Sequence, residues 1–237
     1  MSIRWMTLLF ATALVSGFSE EKTIRVFVAL CDNASQGIVP VGEKIGDGDK
    51  PDANLYWGCY DGFGSYFSRS KKWTVISKES DISEQILRRI KLRHVHDDIM
   101  LTGEAYRGRN IRECLADFEK AAASGKDDLV AFIGHNGLME FSLPEPRERG
   151  EDRTDVVVLA CVSHAFFAER LERAHCRPIL MTQQLMYPGA FLLHDAIEAW
   201  RDGGDLDSIR LAAGKAYARN QKISVSAATG VFADLSP

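Results

Sequence analysis

Three features that often point to function are missing from this sequence of 237 residues. Its five cysteines include no CxxC pair, so neither a structural zinc site nor a thioredoxin motif is indicated. There is no excess of basic residues, because the formal net charge is −4, and this argues against a nucleic-acid partner. There is also no internal repeat or linker, so residues 20–237 are expected to form a single domain.

Long apolar stretches are scarce, and the one that stands out lies at the start of the chain. Arg4 precedes an apolar run from Trp5 to Phe18, and small residues such as Ser19 lie near its end. This pattern predicts a secretory signal peptide over residues 1–19, with an uncleaved membrane anchor as the alternative. We therefore expect a secreted or periplasmic protein with no stable membrane insertion after the signal is removed.

Short apolar runs alternate with amphipathic segments in the rest of the chain. Runs rich in β-branched residues predict strands at 24–30, 72–78, 99–105, 129–134, 156–160 and 177–182. Helical periodicity predicts helices at 55–67, 82–91, 111–123, 163–174, 188–200 and 205–218. This alternation predicts an α/β fold, a three-layer α/β/α sandwich with a mostly parallel, doubly wound sheet.

Polar and reactive side chains follow several of the predicted strands. The carboxyl ends of parallel strands lie along one edge of a sheet, and ligands bind there. We therefore expect five of these residues to contact a substrate, namely Asp32, Asn33, Arg107, Asn136 and Gln183.

Cys161 and His135 are the candidate catalytic pair at this edge. Cys161 lies between a predicted strand and a predicted helix, where free backbone amides favour a thiolate. His135 would take the thiol proton and return it to a leaving group, and the amides of Cys161 and Gly137 would stabilise an oxyanion. Taken singly, each side chain also fits a structural role, and His164 competes with His135 as the base.

The two strand ends resemble those of the caspase-like cysteine peptidases, the group that includes caspases, gingipains, clostripain, legumain and separase. The segments concerned are Ile133-Gly134-His135-Asn136-Gly137 and Leu159-Ala160-Cys161. The resemblance implies a doubly wound sheet with the catalytic His and Cys after consecutive strands. Asn136 is a departure from the family pattern, which usually has glycine directly after the histidine.

The resemblance also implies a substrate preference. In that family the end of the first strand often contributes to the pocket for the residue before the cleaved bond. Asp32 occupies the matching position, which favours a basic residue there by charge complementarity. A turn in which Asp32 binds its own backbone is the alternative.

These features predict an exported peptidase that acts on peptides or proteins and requires no cofactor. A non-catalytic periplasmic binding module is the main alternative, supported by the aromatic, glycine-rich segment 54–64. A metal-dependent hydrolase is a third hypothesis, based on the ligand types of His94, His96 and Asp97. Three residues of ligand type within one four-residue segment are weak support for a metal site, and we predict no bound metal. His175 and His194 are expected to face solvent.

Overall fold

The structure is a computed structural model that describes residues 21–144 and 150–236. The predicted signal peptide, residues 1–19, lies outside the described residues. The described strands are β1 (Lys22–Ala29), β2 (Trp73–Ser80), β3 (Ile86–His94), β4 (Ile99–Tyr106), β5 (Leu129–Ile133), β6 (Asp155–Leu159) and β7 (Arg177–Met181). The described helices are α1 (Phe63–Arg69), α2 (Ile111–Ala123), α3 (Ser163–Arg173), α4 (Ala190–Arg201), α5 (Leu206–Gln221) and α6 (Val225–Thr229).

The strands form one sheet in the order β2-β3-β4-β1-β5-β6-β7. The strands β4, β1, β5, β6 and β7 run parallel to one another, and β2, β3 and β4 pair antiparallel. Every residue of β5 and β6 is buried, as expected for the middle of a parallel sheet whose two faces are both covered. The prediction of an α/β fold with a mostly parallel sheet is confirmed.

Helices cover both faces of this sheet. On the α2/α3 face, Phe118 and Phe167 pack against Phe132 and other residues of the central strands. On the α1/α4/α5 face, Phe63 and Leu193 belong to the second buried core. The chain therefore has helix, sheet and helix layers. Within the described ranges, no helix combines the length and apolar character needed to cross a bilayer.

One predicted helix, at 82–91, is wrong because most of it belongs to strand β3. Ile82, Ile86 and Ile90 are spaced four apart, which imitates a helical stripe. The strand pairs with both β2 and β4, and its register with β4 shifts between Ile86 and Arg88. That bulge interrupts the alternation of inward and outward side chains, so the period of two that identifies a strand is lost from the sequence.

The predicted helix at 55–67 is shorter than expected and begins only at Phe63. The preceding residues form turns around Asn54, whose carbonyl accepts hydrogen bonds from the amides of Trp57, Gly58 and Cys59. A Cβ atom at position 58 would lie 2.2 Å from the carbonyl oxygen of Asp52, so this close backbone approach requires glycine. The aromatic residues are consequently not on one helical face, and Tyr60 is 77% exposed.

Candidate active site

The carboxyl edge of the sheet opens between β1 and β5. After β1 the chain crosses to the α1/α4/α5 face, where Phe63 is buried. After β5 it turns to the α2/α3 face, where Gly137 lies against Leu115 and Phe141. Neighbouring parallel strands whose connections leave on opposite faces form a crevice at their carboxyl ends, and this is where such folds bind ligands.

His135 and Cys161 lie side by side along this edge. Ile133 of β5 pairs with Leu159 of β6, and each candidate follows its strand two positions later. Asn136 ties the two chain segments together, since its Nδ2 atom donates to the carbonyl oxygen of Cys161 at 2.7 Å. The structure thus brings the two predicted residues to adjacent strand ends, with their side chains bonded to other groups.

The imidazole of His135 is held by a carboxylate. Its Nε2 atom lies 2.6 Å from Oε1 of Glu140, and the same oxygen accepts the backbone N–H of Gly37, also at 2.6 Å. A carboxylate accepts hydrogen bonds, so it selects the tautomer with the proton on Nε2 and leaves the lone pair on Nδ1. No described residue hydrogen-bonds Nδ1. Sequence reasoning missed Glu140, whose signal is only an acidic residue five positions after the histidine.

The thiol of Cys161 is half-buried against the segment that follows β7. Its Sγ atom lies 3.5 Å from the backbone nitrogen of Met186, which donates to it, and 3.6 Å from the carbonyl oxygen of the same residue. The first amides of α3 are not available to this thiol. Those of Ser163 and His164 donate to Thr182, and that of Val162 donates to Gln184. The expectation that free amides of this helix stabilise a thiolate is therefore wrong.

Val162, the residue after Cys161, has a left-handed backbone with φ of 50° and ψ of 34°. This conformation is unusual for a β-branched residue and costs about 1–2 kcal/mol. It allows the chain to turn sharply from β6 into α3. Strained backbone of this kind is concentrated at functional sites in proteins.

Two aromatic hydroxyls lie close to the thiols of this edge. Burial raises the pKa of the Tyr56 hydroxyl, and the nearby Cys31 and Cys161 thiols raise it further. Burial likewise raises the pKa of Tyr187, which lies near Cys31. Burial also raises the pKa of the Cys31 thiol to about 11, so Cys31 remains protonated at neutral pH. Cys31 is therefore a poor candidate nucleophile.

The side chain of Asn54 fixes this aromatic segment to the end of β1. Its Nδ2 donates to the carbonyl of Cys31 at 2.7 Å and its Oδ1 accepts the Cys31 amide at 3.0 Å. The same Oδ1 accepts the Tyr56 amide at 3.1 Å. Asn54 is fully buried, and the turn it forms positions Tyr56 beside the thiols.

The other predicted site residues are mostly bonded within the protein. The Asp32 carboxylate accepts bonds from the Ala34 amide at 3.1 Å and the Ser35 hydroxyl at 2.5 Å, which is the turn geometry given as its alternative. Asn33 bonds to the backbone of Val41, and Arg107 bonds to Asp49 and to the carbonyl of Glu84. Gln183 donates to the carbonyl of Gly230, and the Gly137 amide donates to the carbonyl of His135.

The residues of the metal hypothesis form an ion-paired cluster. His94 is buried, with Nδ1 3.1 Å from Asp97 and Nε2 3.4 Å from Glu198, and Arg201 pairs with Asp97 at 2.9 Å. Among residues 21–144 and 150–236, no three His, Cys, Asp or Glu side chains are placed to hold a metal ion.

Two further histidine predictions have different outcomes. His164 is exposed on α3. Its imidazole makes no hydrogen bond with a described residue of the kind expected for a general base. The prediction that His194 faces solvent is wrong, because it is buried and bonded to Ser70 and Asp195.

Comparison with protein-family models, with curated proteins and with solved structures finds no match for this chain. The resemblance to the caspase-like peptidases therefore stays a prediction.

Proposed function

We propose that the protein is an exported cysteine hydrolase that cleaves peptide bonds, with Cys161 as nucleophile and His135 as general base. The observation that carries this proposal is the position of the two residues. Ile133 and Leu159 pair on neighbouring parallel strands, and His135 and Cys161 each follow two positions later. The Glu140 carboxylate on Nε2 of His135 adds to it, since a base needs a fixed tautomer. Export rests on the sequence pattern of residues 1–19.

The reaction needs only the residues of this edge. Nδ1 of His135 accepts the proton of the Cys161 thiol, and the sulfur attacks the carbonyl carbon to form a C–S bond. The imidazolium then gives its proton to the amine nitrogen as the C–N bond breaks, and water hydrolyses the remaining thioester. Glu140 stabilises the positive imidazolium and keeps the ring in place.

Hydrogen-bond donors for the oxyanion are the Cys161 amide and the hydroxyl of Tyr56. The Gly137 amide donates to the carbonyl of His135 at 3.1 Å, so it is already occupied. Tyr56 lies near Cys161 and also hydrogen-bonds the Cys31 thiol, and its raised pKa keeps the hydroxyl protonated over the neutral range. A buried, protonated phenol is a suitable donor to a developing negative charge.

Exposed apolar residues at this edge support a peptide or protein substrate. Val39, Tyr60 and Leu185 are 87%, 77% and 73% exposed, which makes them the most exposed large apolar residues described. All three lie in connections at the carboxyl edge: Val39 and Tyr60 after β1, and Leu185 after β7. Apolar side chains that face solvent beside a crevice are available to pack against apolar side chains of a substrate.

A peptide-based thiol probe tests the proposal directly. The mature protein is treated with a peptidyl acyloxymethyl ketone, and the labelled cysteine is identified by mass spectrometry beside Cys161→Ala and His135→Ala variants. We expect labelling at Cys161 that falls about a hundredfold in the His135 variant, since general-base catalysis typically contributes a factor of this order or more.

Cys59 is the matched control thiol, because it is also half-buried and burial raises the pKa of its thiol. A Cys59→Ser variant should label as the wild type does. Cleavage of a peptide library, read by mass spectrometry, should be lost in Cys161→Ala. Equal labelling of Cys59 and Cys161, or labelling that does not depend on His135, would overturn the peptidase proposal and favour the binding module.

A further inference from the structure

A separate cavity of about 430 Å³ lies between α1 and the β2–β3 hairpin. One wall is formed by Trp57 and by the α1 residues Ser65, Ser68 and Arg69, and the other by the hairpin. This volume falls within the range of roughly 300–1,000 Å³ that is typical of small-molecule sites. None of the candidate catalytic residues lines it.

The hairpin wall presents charged groups from two paired strands. Lys78 pairs with Ile90 and Ser80 pairs with Arg88, so these four side chains share one face of the sheet. Arg88 is bound by both carboxylate oxygens of Asp52, at 3.2 and 2.8 Å. Lys78 is exposed and has no ion pair or hydrogen bond with any described residue. Its ammonium group is therefore available to a ligand.

The cavity has more positive than negative charge. Arg69 lies on the opposite wall, where its guanidinium stacks at 4.1 Å on the Tyr60 ring and donates to the Tyr60 carbonyl, and no carboxylate in the described part of the chain pairs with it. Glu79 and Arg89 also line the cavity and pair at 3.7 Å, and Arg89 in addition binds Glu104 at 2.6 Å. Arg88 and Asp52 neutralise each other in the same way, which leaves the charges of Lys78 and Arg69 uncompensated.

Trp57 adds a flat apolar wall and an unused donor. Its side chain is only 6% exposed, yet its indole Nε1 has no acceptor among the described residues. Gly64 lies so close that a Cβ atom there would be 2.6 Å from Nε1. An indole N–H without an acceptor in the protein is free to donate to a ligand.

We propose that this cavity is a binding site for a small organic anion. A phosphate or carboxylate group would contact Lys78 and Arg69, and a planar group would lie against the indole of Trp57. Ammonium and guanidinium groups are the usual partners of both oxyanions. The proposal does not depend on the chemistry of Cys161.

Calorimetric titration of the mature protein with phenyl phosphate and with benzoate tests this site. We expect saturable binding of one or both probes, and the probe that binds identifies the anionic group. Removing the Lys78 charge in Lys78→Gln should weaken binding about tenfold, as expected for a charge-assisted hydrogen bond. Trp57→Phe keeps a ring but removes the N–H, and it should weaken binding as well.

Lys91→Gln is the matched control for Lys78→Gln. Lys91 is an exposed lysine of the same hairpin, but it pairs with Ser77 and Thr102 and does not line the cavity. The Lys91→Gln variant should leave the affinity for the two probes unchanged. Absence of saturable binding by both probes would overturn the proposal, and so would an equal loss of affinity in the two lysine variants.

Discussion

Nε2 of His135 lies 2.6 Å from Oε1 of Glu140, five positions further along the chain. This contact fixes the orientation of an imidazole that is 8% exposed at the end of a buried strand. A histidine held in this way has one nitrogen occupied and the other available, as a general base requires. The carboxylate is thus the part of the proposed site that can be tested without a known substrate.

Glu140→Gln should slow alkylation of Cys161 by about tenfold at neutral pH. The amide oxygen can still accept from Nε2 and from Gly37, but without a negative charge it stabilises the imidazolium less, so the thiol proton is transferred less readily. The rate is measured by mass spectrometry after timed treatment with iodoacetamide. Glu43→Gln, at an exposed glutamate of the loop after β1, is the control and should react at the wild-type rate. An unchanged rate in Glu140→Gln would remove the carboxylate from the mechanism.

Val162→Gly should destabilise the protein less than an equivalent change elsewhere. Glycine adopts a left-handed backbone without the strain of about 1–2 kcal/mol that valine bears there, and this gain offsets the lost side-chain packing. Val41→Gly is the comparison, since Val41 is a half-buried loop valine without positive φ. The free energy of unfolding in urea should differ between the variants by about that amount. A larger loss in Val162→Gly would contradict the assignment of strain.

The stability of the fold should fall as the pH drops below 6.5, in part through His94. Burial lowers the pKa of His94 below its ordinary value of 6.5, although Glu198 opposes the shift. The unfolded chain therefore binds more protons at His94 in the window between the lowered pKa and 6.5, and stability rises with pH across it. Urea unfolding at a series of pH values should show a shallower dependence in His94→Gln. His164→Gln, at an exposed histidine, should retain the wild-type slope.

Asn54→Ala should cost about 2–4 kcal/mol of unfolding free energy, because it removes several buried hydrogen bonds at once. It should also expose Cys31, which becomes open to alkylation under native conditions. Asn33→Ala removes two bonds to the backbone of Val41 at a half-buried position and should cost less. Equal costs in the two variants would show that the Asn54 turn is not what holds the aromatic segment in place.

The central strands could be predicted from sequence because burial on both faces leaves an uninterrupted apolar run. Leu129–Ile133 and Asp155–Leu159 are of this kind, and their ends located His135 and Cys161 at one edge. Strand β3 could not be identified in this way, since its bulge destroys the alternation that marks a strand with one buried face.

The contacts of the site were beyond the reach of sequence patterns. Glu140 meets His135 only because a short turn at Gly137–Met139 brings the chain back toward the strand end. The amides at the start of α3 were expected to be free, but the hydroxyl and carbonyl of Thr182, from the end of a different strand, accept those of Ser163 and His164. Such pairings depend on tertiary structure and leave no local pattern.

The bond from Gly37 to Glu140 joins positions 103 residues apart in the chain. Contacts of such long sequence separation carry a large loop-closure cost and form after local structure during folding. This second hydrogen bond to Glu140 therefore forms only when the loop after β1 has docked on the finished sheet. Under the proposed function, a newly made chain would hold Cys161 near a base whose carboxylate is not yet fully bonded, which would limit hydrolysis of the chain itself or of its neighbours until folding is complete.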